Sequence, residues 1–391
     1  MRTQVGIVGA GPAGLVLAHL LHLAGIESVV LEDRSRAHVE GRIRAGVLEQ
    51  PTVDLLDDAG VSRRLHREGL VHHGIEIRFD GLRHRIALSD LTDGKAITIY
   101  GQAELVKDLI AVRLDSGEPI LFEVEDVRLA GLDTDDPSIS FRSDGRDETL
   151  ACDYIAGCDG FHGIARPSIP AGILRTFERD YPFAWLGILA AVAPSTDELI
   201  YAAHDRGFAL HSLRSPTISR LYLQVSPDED IEAWPDDRIW TELRTRLAAQ
   251  DGWTLADGPI LDKAITPLRS FVAEPMQYGR LFLAGDAAHI VPATGAKGLN
   301  LAVSDVRALA EAIVARYRTG DESGLAGYTE RCLRRVWRVQ DFSWWMSSML
   351  HLLPDGDGFG HRLQRAQLDW LVSSESASRS LAENYVGLPF S

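Results

Sequence analysis

Cysteine is scarce in this chain. Three occur in 391 residues, Cys152, Cys158 and Cys332, an odd count with no CxxC pair, which argues against a disulfide framework and against a thiolate zinc site; no metal is expected, and a reducing compartment, the cytoplasm, is the expected location. Basic residues are outnumbered. Forty Lys plus Arg against 56 Asp plus Glu leave a net charge of −16, a field that repels nucleic acid and anionic membrane surfaces and excludes both as expected partners. Long apolar runs are missing as well. The stretch 5–23 imitates a secretory leader, but Gly9, Gly11, Pro12 and Gly14 break it and His19 and His22 interrupt it. The other apolar run, 183–193, falls well short of the roughly 20 residues a bilayer span needs and reads as buried strand. Internal repeats and low-complexity tracts are also lacking. What remains is an ordinary folded composition, 45% apolar and 25% charged, in a chain long enough for two or three interleaved units at roughly 100–200 residues each.

The N-terminus carries the first organised pattern. Residues 4–8 are β-prone, GAGPAG follows at 9–14, an apolar helix runs over 15–24, and a second strand over 28–31 closes at Glu32. This strand, glycine turn, helix, strand unit predicts a doubly wound α/β domain. Further apolar strands ending in glycine occur at 154–160 (YIAGCDG) and 281–286 (LFLAGD), the latter leading into a helix over about 298–316, so the sheet is assembled from distant segments. Between them, 181–267 alternates like antiparallel strands, with candidates at 199–203, 207–214 and 219–225. From 328 onward the chain reads as helical and rich in Arg and Trp, with an irregular tail over 384–389. The fold class is therefore mixed α/β, a Rossmann-like unit of discontinuous segments with an inserted antiparallel sheet and a C-terminal helical region.

The glycine turn sits where backbone NH groups and a helix N-terminus can approach a pyrophosphate, and Glu32, 18 residues past Gly14, can accept from a ribose hydroxyl. The segment GDAAH at 285–289, with GAKGLN at 295–300 opening a helix, brings an acidic acceptor, Asp286, to a positive helix end. A flavin uses both, an acceptor for its ribityl hydroxyls and a dipole for the negative charge of its reduced ring. DGFHGIAR at 159–166 offers His162 and Arg166 on a turn; with Arg269 these can receive the phosphates of a second, transient dinucleotide, or they are turn chemistry alone. In the inserted sheet, Ser212 and Arg214 share one strand face and Arg220, Tyr222 and Gln224 share a face of the next. A loop centred near Thr217 sets Ser212 opposite Tyr222 and Arg214 opposite Arg220. Such opposed guanidiniums imply an anion nearby, unless the face is simply solvated.

The ordered set GAGPAG, GRIRAGVLEQ, YGQAE, DYIAGCDGFHG, GRLFLAGDAAHIVPATGAKGLN, FSWWM and ENYVGLP resembles the class A flavoprotein aromatic hydroxylases of the 4-hydroxybenzoate 3-monooxygenase family, from the first strand to the last ten residues. The resemblance implies an FAD-binding unit over 1–70, 101–180 and 268–345, a substrate-binding sheet over 71–100 and 181–267, and an interface segment over 346–391 in a homodimer. It assigns FAD to Gly9, Gly11, Ala13, Gly14, Glu32, Arg42, Arg44, Gln102, Asp159, Asp286, Lys297, Leu299 and Asn300, with Arg220 steadying the ring. It assigns the carboxylate of an aromatic acid to Arg214, Ser212 and Tyr222, and a backbone carbonyl at Ala293 to the substrate hydroxyl. A proton path runs from Tyr201 through Tyr385 to His72, whose near-neutral titration suits an outlet to solvent. Arg34, His162, Arg166 and Arg269 would serve NADH or NADPH. The implied reaction is hydroxylation of 4-hydroxybenzoate at C3 to 3,4-dihydroxybenzoate with O2, through a flavin C4a-hydroperoxide. The family's proline pair is HIVPATG here, so Ala293 lacks the rigid φ of proline and a looser site is expected. Asp33 and Glu40 repel a 2′-phosphate while Arg34 and Arg36 attract it, leaving a weak lean to NADH or dual use. The rivals are a hydroxylase of another phenolic acid, a flavin- or aromatic-acid-binding sensor, and a simple dehydrogenase, which leaves the GD segment without a role.

Overall fold

The computed structural model describes residues 1–42, 46–354 and 358–390, and the fold is the expected mixed α/β. Its first layer is a six-stranded sheet in the order Gln277–Tyr278, Leu281–Leu283, Tyr154–Gly157, Val5–Val8, Ser28–Leu31, Ile120–Leu121, parallel except for the Gln277–Tyr278 edge. Val5 lies beside both Ser28 and Tyr154, so the strand before the glycine turn is central. All four of its residues are buried, as a parallel sheet covered on both faces requires. Helix Pro12–Leu23 starts on a proline, which has no NH to lose in a first turn, and packs beside helix Gly298–Thr319. A small antiparallel sheet of Arg146–Ala151, Ser138–Ser143 and Glu125–Ala130 flanks this layer.

The second layer is an eight-stranded sheet in the order His289–Ile290, Ile260–Glu274, Arg175–Ala190, Ile218–Val225, Ala209–Ser215, Leu199–Ala202, Ile75–Phe79, Leu82–Ile86. Two long strands, Arg175–Ala190 and Ile260–Glu274, run antiparallel and carry the chain out of the first layer and back. Ala184, Leu186, Ile188, Ile200, Leu221 and Leu223 point to one side, into a core with Trp234, Trp240 and Leu243 of the helical segment around Asp236–Arg246. Phe183, Trp185, Tyr201 and Leu210 point to the other, against Met346, Leu350, Leu371, Leu381 and Tyr385 of the C-terminal helices. Burial on both faces explains why 183–193 reads as one apolar run rather than an alternation; each fully buried Leu or Ile there contributes roughly 1.5–3 kcal/mol.

The C-terminal region forms helices Tyr328–Leu350, Phe359–Ser373 and Glu375–Val386. The irregular tail expected over 384–389 begins later than the sequence indicated: Asn384 and Tyr385 belong to the last turn of Glu375–Val386, a helix capped by the Ser374 hydroxyl accepting from the Ala377 NH. Among the described residues no helix is long and apolar enough to cross a membrane.

Candidate active site

The glycine turn has the geometry of a dinucleotide cradle. Gly9 adopts φ +105°, and a Cβ on Gly14 would stand 2.0 Å from the Gly9 carbonyl oxygen, so neither position takes a larger residue. Around Gly11, and around Gly298 at the start of helix Gly298–Thr319, an added Cβ meets nothing within 4 Å, which leaves the open space that phosphates and a flavin need. The Glu32 carboxylate accepts from the Ala10 NH (2.7 Å) and the Arg34 NH (3.0 Å), and burial holds its pKa above the ordinary carboxylate value. Asp159 accepts from the Ala165 NH (2.8 Å) through one oxygen while the other is buried without a partner. Asp286 lies in the single turn Gly285–Ala287 after strand Leu281–Leu283. Asp305 fixes that turn by accepting from the Gly285 NH (3.0 Å) and bonding His289 (2.6 Å). Gln102 opens helix Gln102–Asp115 and Leu299 lies in the first turn of Gly298–Thr319. Arg42 follows helix Arg36–Gly41, and Arg44 lies outside the described residues. These features fit FAD.

Asn300 is occupied within the protein. Its amide donates to the carbonyls of Val47 (2.9 Å) and Ala296 (3.2 Å) and accepts from the Glu49 NH (2.9 Å), pinning the 47–49 segment to the helix start. Lys297 is likewise buried: its ammonium donates to Glu49 (2.7 Å) and to the carbonyls of Asn384 (2.6 Å) and Tyr385 (3.0 Å). Burial lowers its pKa against the pull of Glu49. Arg335 extends the clamp, donating to the carbonyls of Leu388 and Pro389 (3.1 Å each) with Glu49 3.5 Å away. Lys297 and Arg335 together hold the C-terminal segment that carries Tyr385. Glu49 and Arg335 were missed as functional residues, although Glu49 lies within the quoted GRIRAGVLEQ stretch.

The substrate sheet carries a correction. Its register sets Ser212 opposite Arg220 and Leu210 opposite Tyr222, two residues away from the expected pairing: the turn is tighter than expected, with Ser215 opposite Ile218, and an irregularity between Leu213 and Ser215 takes Arg214 out of the ladder. Arg214 and Arg220 are thus not directly opposed. A slip of two keeps every side chain on its face, so Ser212, Arg214, Arg220 and Tyr222 still line one surface. Tyr201 is opposite Leu210 on the next strand, which puts Tyr201, Leu210 and Tyr222 in one lateral row at about 4.8 Å per strand. The row continues to Gly187, where a Cβ would stand 2.7 Å from an Arg220 guanidinium nitrogen. Arg214 and Arg220 each have a buried Nε with no hydrogen-bond partner. Burial lowers the Arg214 pKa. Two half-buried guanidiniums with no carboxylate partner among the described residues have the chemistry to receive an anion.

The other end of the row is a proton relay in outline. The hydroxyls of Tyr201 and Tyr385 lie 2.5 Å apart, and Tyr201 also donates to the Thr294 carbonyl (3.2 Å). The Ala293 carbonyl is used instead by the Ala296 NH (3.0 Å). Burial holds both phenols above their ordinary pKa. His72 departs from expectation: it is 1% exposed, both ring nitrogens lack partners, and burial pushes its pKa down to about 4 rather than leaving it near neutral.

Phe161, Arg166, Arg269 and Phe271 form a separate cluster. The Arg166 guanidinium lies 4.6 Å and 4.7 Å from the two phenylalanine rings and donates to the Ala287 carbonyl (2.9 Å), while Arg269 covers Phe161 at 4.9 Å and exposed His162 packs on the same ring. Arg34 is not drawn into this group; its neighbour is Asp33 at 3.6 Å.

Comparison with known proteins agrees with this geometry. Residues 2–343 match the model of the FAD binding domain family. The p-hydroxybenzoate hydroxylase of Acinetobacter baylyi is 50% identical over 390 residues, covering 100% of this chain and 96% of that protein. A 3-(3-hydroxy-phenyl)propionate/3-hydroxycinnamic acid hydroxylase of Mycobacterium sp. (strain JLS) is 26% identical over 78% of this chain, which spans only 52% of that longer protein. The fold of p-nitrophenol 4-monooxygenase from Pseudomonas putida superposes with a TM-score of 0.83 at 20% identity, covering 98% of each chain. A family model spanning most of the sequence and a full-length relative sharing half of its residues leave one assignment: the chain belongs to the class A flavoprotein aromatic hydroxylases, with FAD as its cofactor.

Proposed function

We propose that this enzyme hydroxylates 4-hydroxybenzoate at C3, converting it with O2, NAD(P)H and a proton into 3,4-dihydroxybenzoate, water and NAD(P)+. The observation that carries the reading is the combination, along one sheet face, of two guanidiniums without an ion-pair partner, Arg214 and Arg220, with the phenol of Tyr201 bonded to that of Tyr385. An aromatic acid with a para hydroxyl matches both ends. FAD, when bound, accepts hydride from the nicotinamide and, once reduced, activates O2. Gly9, Gly11, Ala13, Gly14, Glu32, Arg42, Arg44, Gln102, Asp159, Asp286 and Leu299 are the residues proposed to hold it, while Lys297 and Asn300 serve its site by fixing the 47–49 and 384–385 segments.

The chain's own contribution is binding and proton control. Arg214 takes the substrate carboxylate, with Ser212 and Tyr222 completing its hydrogen bonds. Tyr201 accepts the phenolic proton while passing its own to Tyr385, a relay that tolerates the raised pKa of both phenols because neither has to remain ionised. The ring is thereby made electron-rich when it is attacked. From Tyr385 the proton leaves toward His72; no hydrogen bond joins the two among the described residues, and the unpartnered ring nitrogens of His72 suit a bridging water. The cluster of His162, Arg166 and Arg269 receives the nicotinamide dinucleotide. NADH is favoured over NADPH because both arginines of the 33–40 segment already have acidic neighbours, Arg34 beside Asp33 and Arg36 at 2.6 Å from Glu40. The exposed Phe359, Leu363 and Trp370 of helix Phe359–Ser373 support homodimer assembly through the C-terminal helices. Oxidation of NADH and NADPH by the FAD-loaded protein, with and without 4-hydroxybenzoate, tests the function. Substrate-stimulated oxidation with stoichiometric 3,4-dihydroxybenzoate is expected; stimulation without product would redirect the search to another phenolic acid, and no stimulation would favour a sensor.

A further inference from the structure

The anion-receiving end of the site is backed by an aromatic side chain whose orientation depends on a histidine outside it. Trp185 lies on strand Arg175–Ala190, on the same face as Tyr222, with the two rings 4.8 Å apart. Its indole NH donates to His351 Nε2 at 2.7 Å. His351 directly follows helix Tyr328–Leu350, and its Nδ1 lies 2.9 Å from the Ser347 carbonyl.

The chemistry of the two partners fixes the imidazole without ambiguity. An indole NH only donates and a carbonyl only accepts, so Nδ1 carries the proton and Nε2 offers a lone pair. The ring is 1% exposed and sandwiched between Phe183 at 4.1 Å, nearly parallel, and Phe208 at 4.3 Å. Neither face nor edge is free to turn. Burial pushes the pKa down to about 3, so the ring is neutral and keeps its acceptor lone pair near neutral pH. Ser347 also bonds Thr294 through its hydroxyl (2.8 Å), and the Thr294 carbonyl accepts from Tyr201. One helix turn therefore braces both the indole behind Tyr222 and the loop beside Tyr201.

The geometry points to His351 as a positioning residue for substrate binding: as the hydrogen-bond acceptor of the indole it locks Trp185 behind Tyr222 and thereby sets the shape of the carboxylate end of the pocket. Without that bond the indole can rotate on its strand, Tyr222 loses its backing, and the hydroxyl that completes the carboxylate's hydrogen bonds is no longer held in place. The effect falls on ligands that carry a carboxylate and spares the Tyr201–Tyr385 relay.

This inference rests on the proposed aromatic-acid site, and the test separates the two. Binding of 4-hydroxybenzoate, benzoate and phenol to the FAD-loaded enzyme is followed by perturbation of the flavin absorbance in wild type, His351→Phe, His351→Gln and Trp185→Phe. His351→Phe keeps the stacking and removes the acceptor. It is expected to raise Kd for 4-hydroxybenzoate and benzoate about tenfold, the worth of one buried hydrogen bond, with phenol binding and FAD content unchanged and with the loss expressed in KM rather than kcat. His351→Gln, which restores an acceptor, is expected to return Kd to within about threefold of wild type, and His351→Phe is expected to add less than about twofold in the Trp185→Phe background because the two share one interaction. Unchanged Kd in His351→Phe, equal losses for phenol and the acids, or full additivity with Trp185→Phe would each overturn the assignment. Should His351→Phe fail to retain FAD, the comparison of His351→Gln with Trp185→Phe decides: near-wild-type binding in the first and weakened acid binding in the second support it, and the reverse order overturns it. A wild-type enzyme that binds none of the acids would defeat the proposed function, and this inference with it.

Discussion

Acid should destabilise this protein through three histidines that the fold keeps neutral. Burial pushes His72 and His211 down to about 4, with Arg78 adding to the effect at His211, and His351 to about 3, against an unfolded value of 6.5. A depressed folded pKa on a base means that the unfolded chain binds the proton first. The stabilisation is complete above pH 6.5 and is lost as pH falls from there toward 4, where the folded state begins to protonate too. At about pH 5 each histidine has surrendered about 2 kcal/mol, about 6 kcal/mol for the three, a large share of the 5–15 kcal/mol that holds a typical domain. His289 works in the opposite sense, since the Asp305 carboxylate raises its pKa in spite of burial, so the clean measurement is a difference between variants. His211→Gln keeps an acceptor for the Ser195 NH and removes one titrating site. Urea unfolding of the FAD-loaded protein between about pH 7.5 and pH 5 should then show a total loss smaller by about 2 kcal/mol than that of wild type. Identical pH slopes for His211→Gln and wild type would refute the reasoning.

Three further outcomes are expected. Arg214→Gln should raise KM for the aromatic acid by about 10- to 100-fold, the worth of a charge-assisted hydrogen bond in a buried site, while FAD remains bound; steady-state kinetics with an unchanged KM would remove Arg214 from the carboxylate site. Tyr385→Phe should slow hydroxylation by at least about 100-fold, in the range of general acid–base catalysis, with FAD retained, and stopped-flow product formation at the wild-type rate would sink the relay. Gly387 adopts φ +95° and a Cβ there would lie 2.3 Å from the Glu49 carboxylate, so Gly387→Ala should cost about 1–3 kcal/mol and lower the melting temperature; an unaltered melt would show that the clamp yields freely.

The parts of the site that follow from local chemistry were legible in the chain. Gly9, Gly14 and Glu32 announce their roles because a positive φ, a close backbone approach and a strand-end carboxylate are properties of a short segment. The inserted sheet was legible as a face rather than as a register: period-two alternation tells which residues lie together, but the irregularity that takes Arg214 out of the ladder is decided by the fit of two strands and leaves no mark in the alternation. The helical end of the molecule was legible as apolar and arginine-rich, yet Asn384 and Tyr385 read as tail because the helix they finish is held by Lys297, 87 and 88 residues away in sequence.

The sequence by itself determined the cofactor class, the layer architecture and the residue types available at the site, since these depend on spacing within a few turns of chain. Only the tertiary structure decided that His72 is a buried base of low pKa, that Asn300 and Lys297 spend their hydrogen bonds on the 47–49 and 384–385 segments, and that Trp185, His351, Ser347, Thr294 and Tyr201 form one connected path. The physical reason is that burial and partnership are properties of what packs against a group. A histidine in water titrates near neutral, and the same histidine enclosed by segments distant in the chain does not.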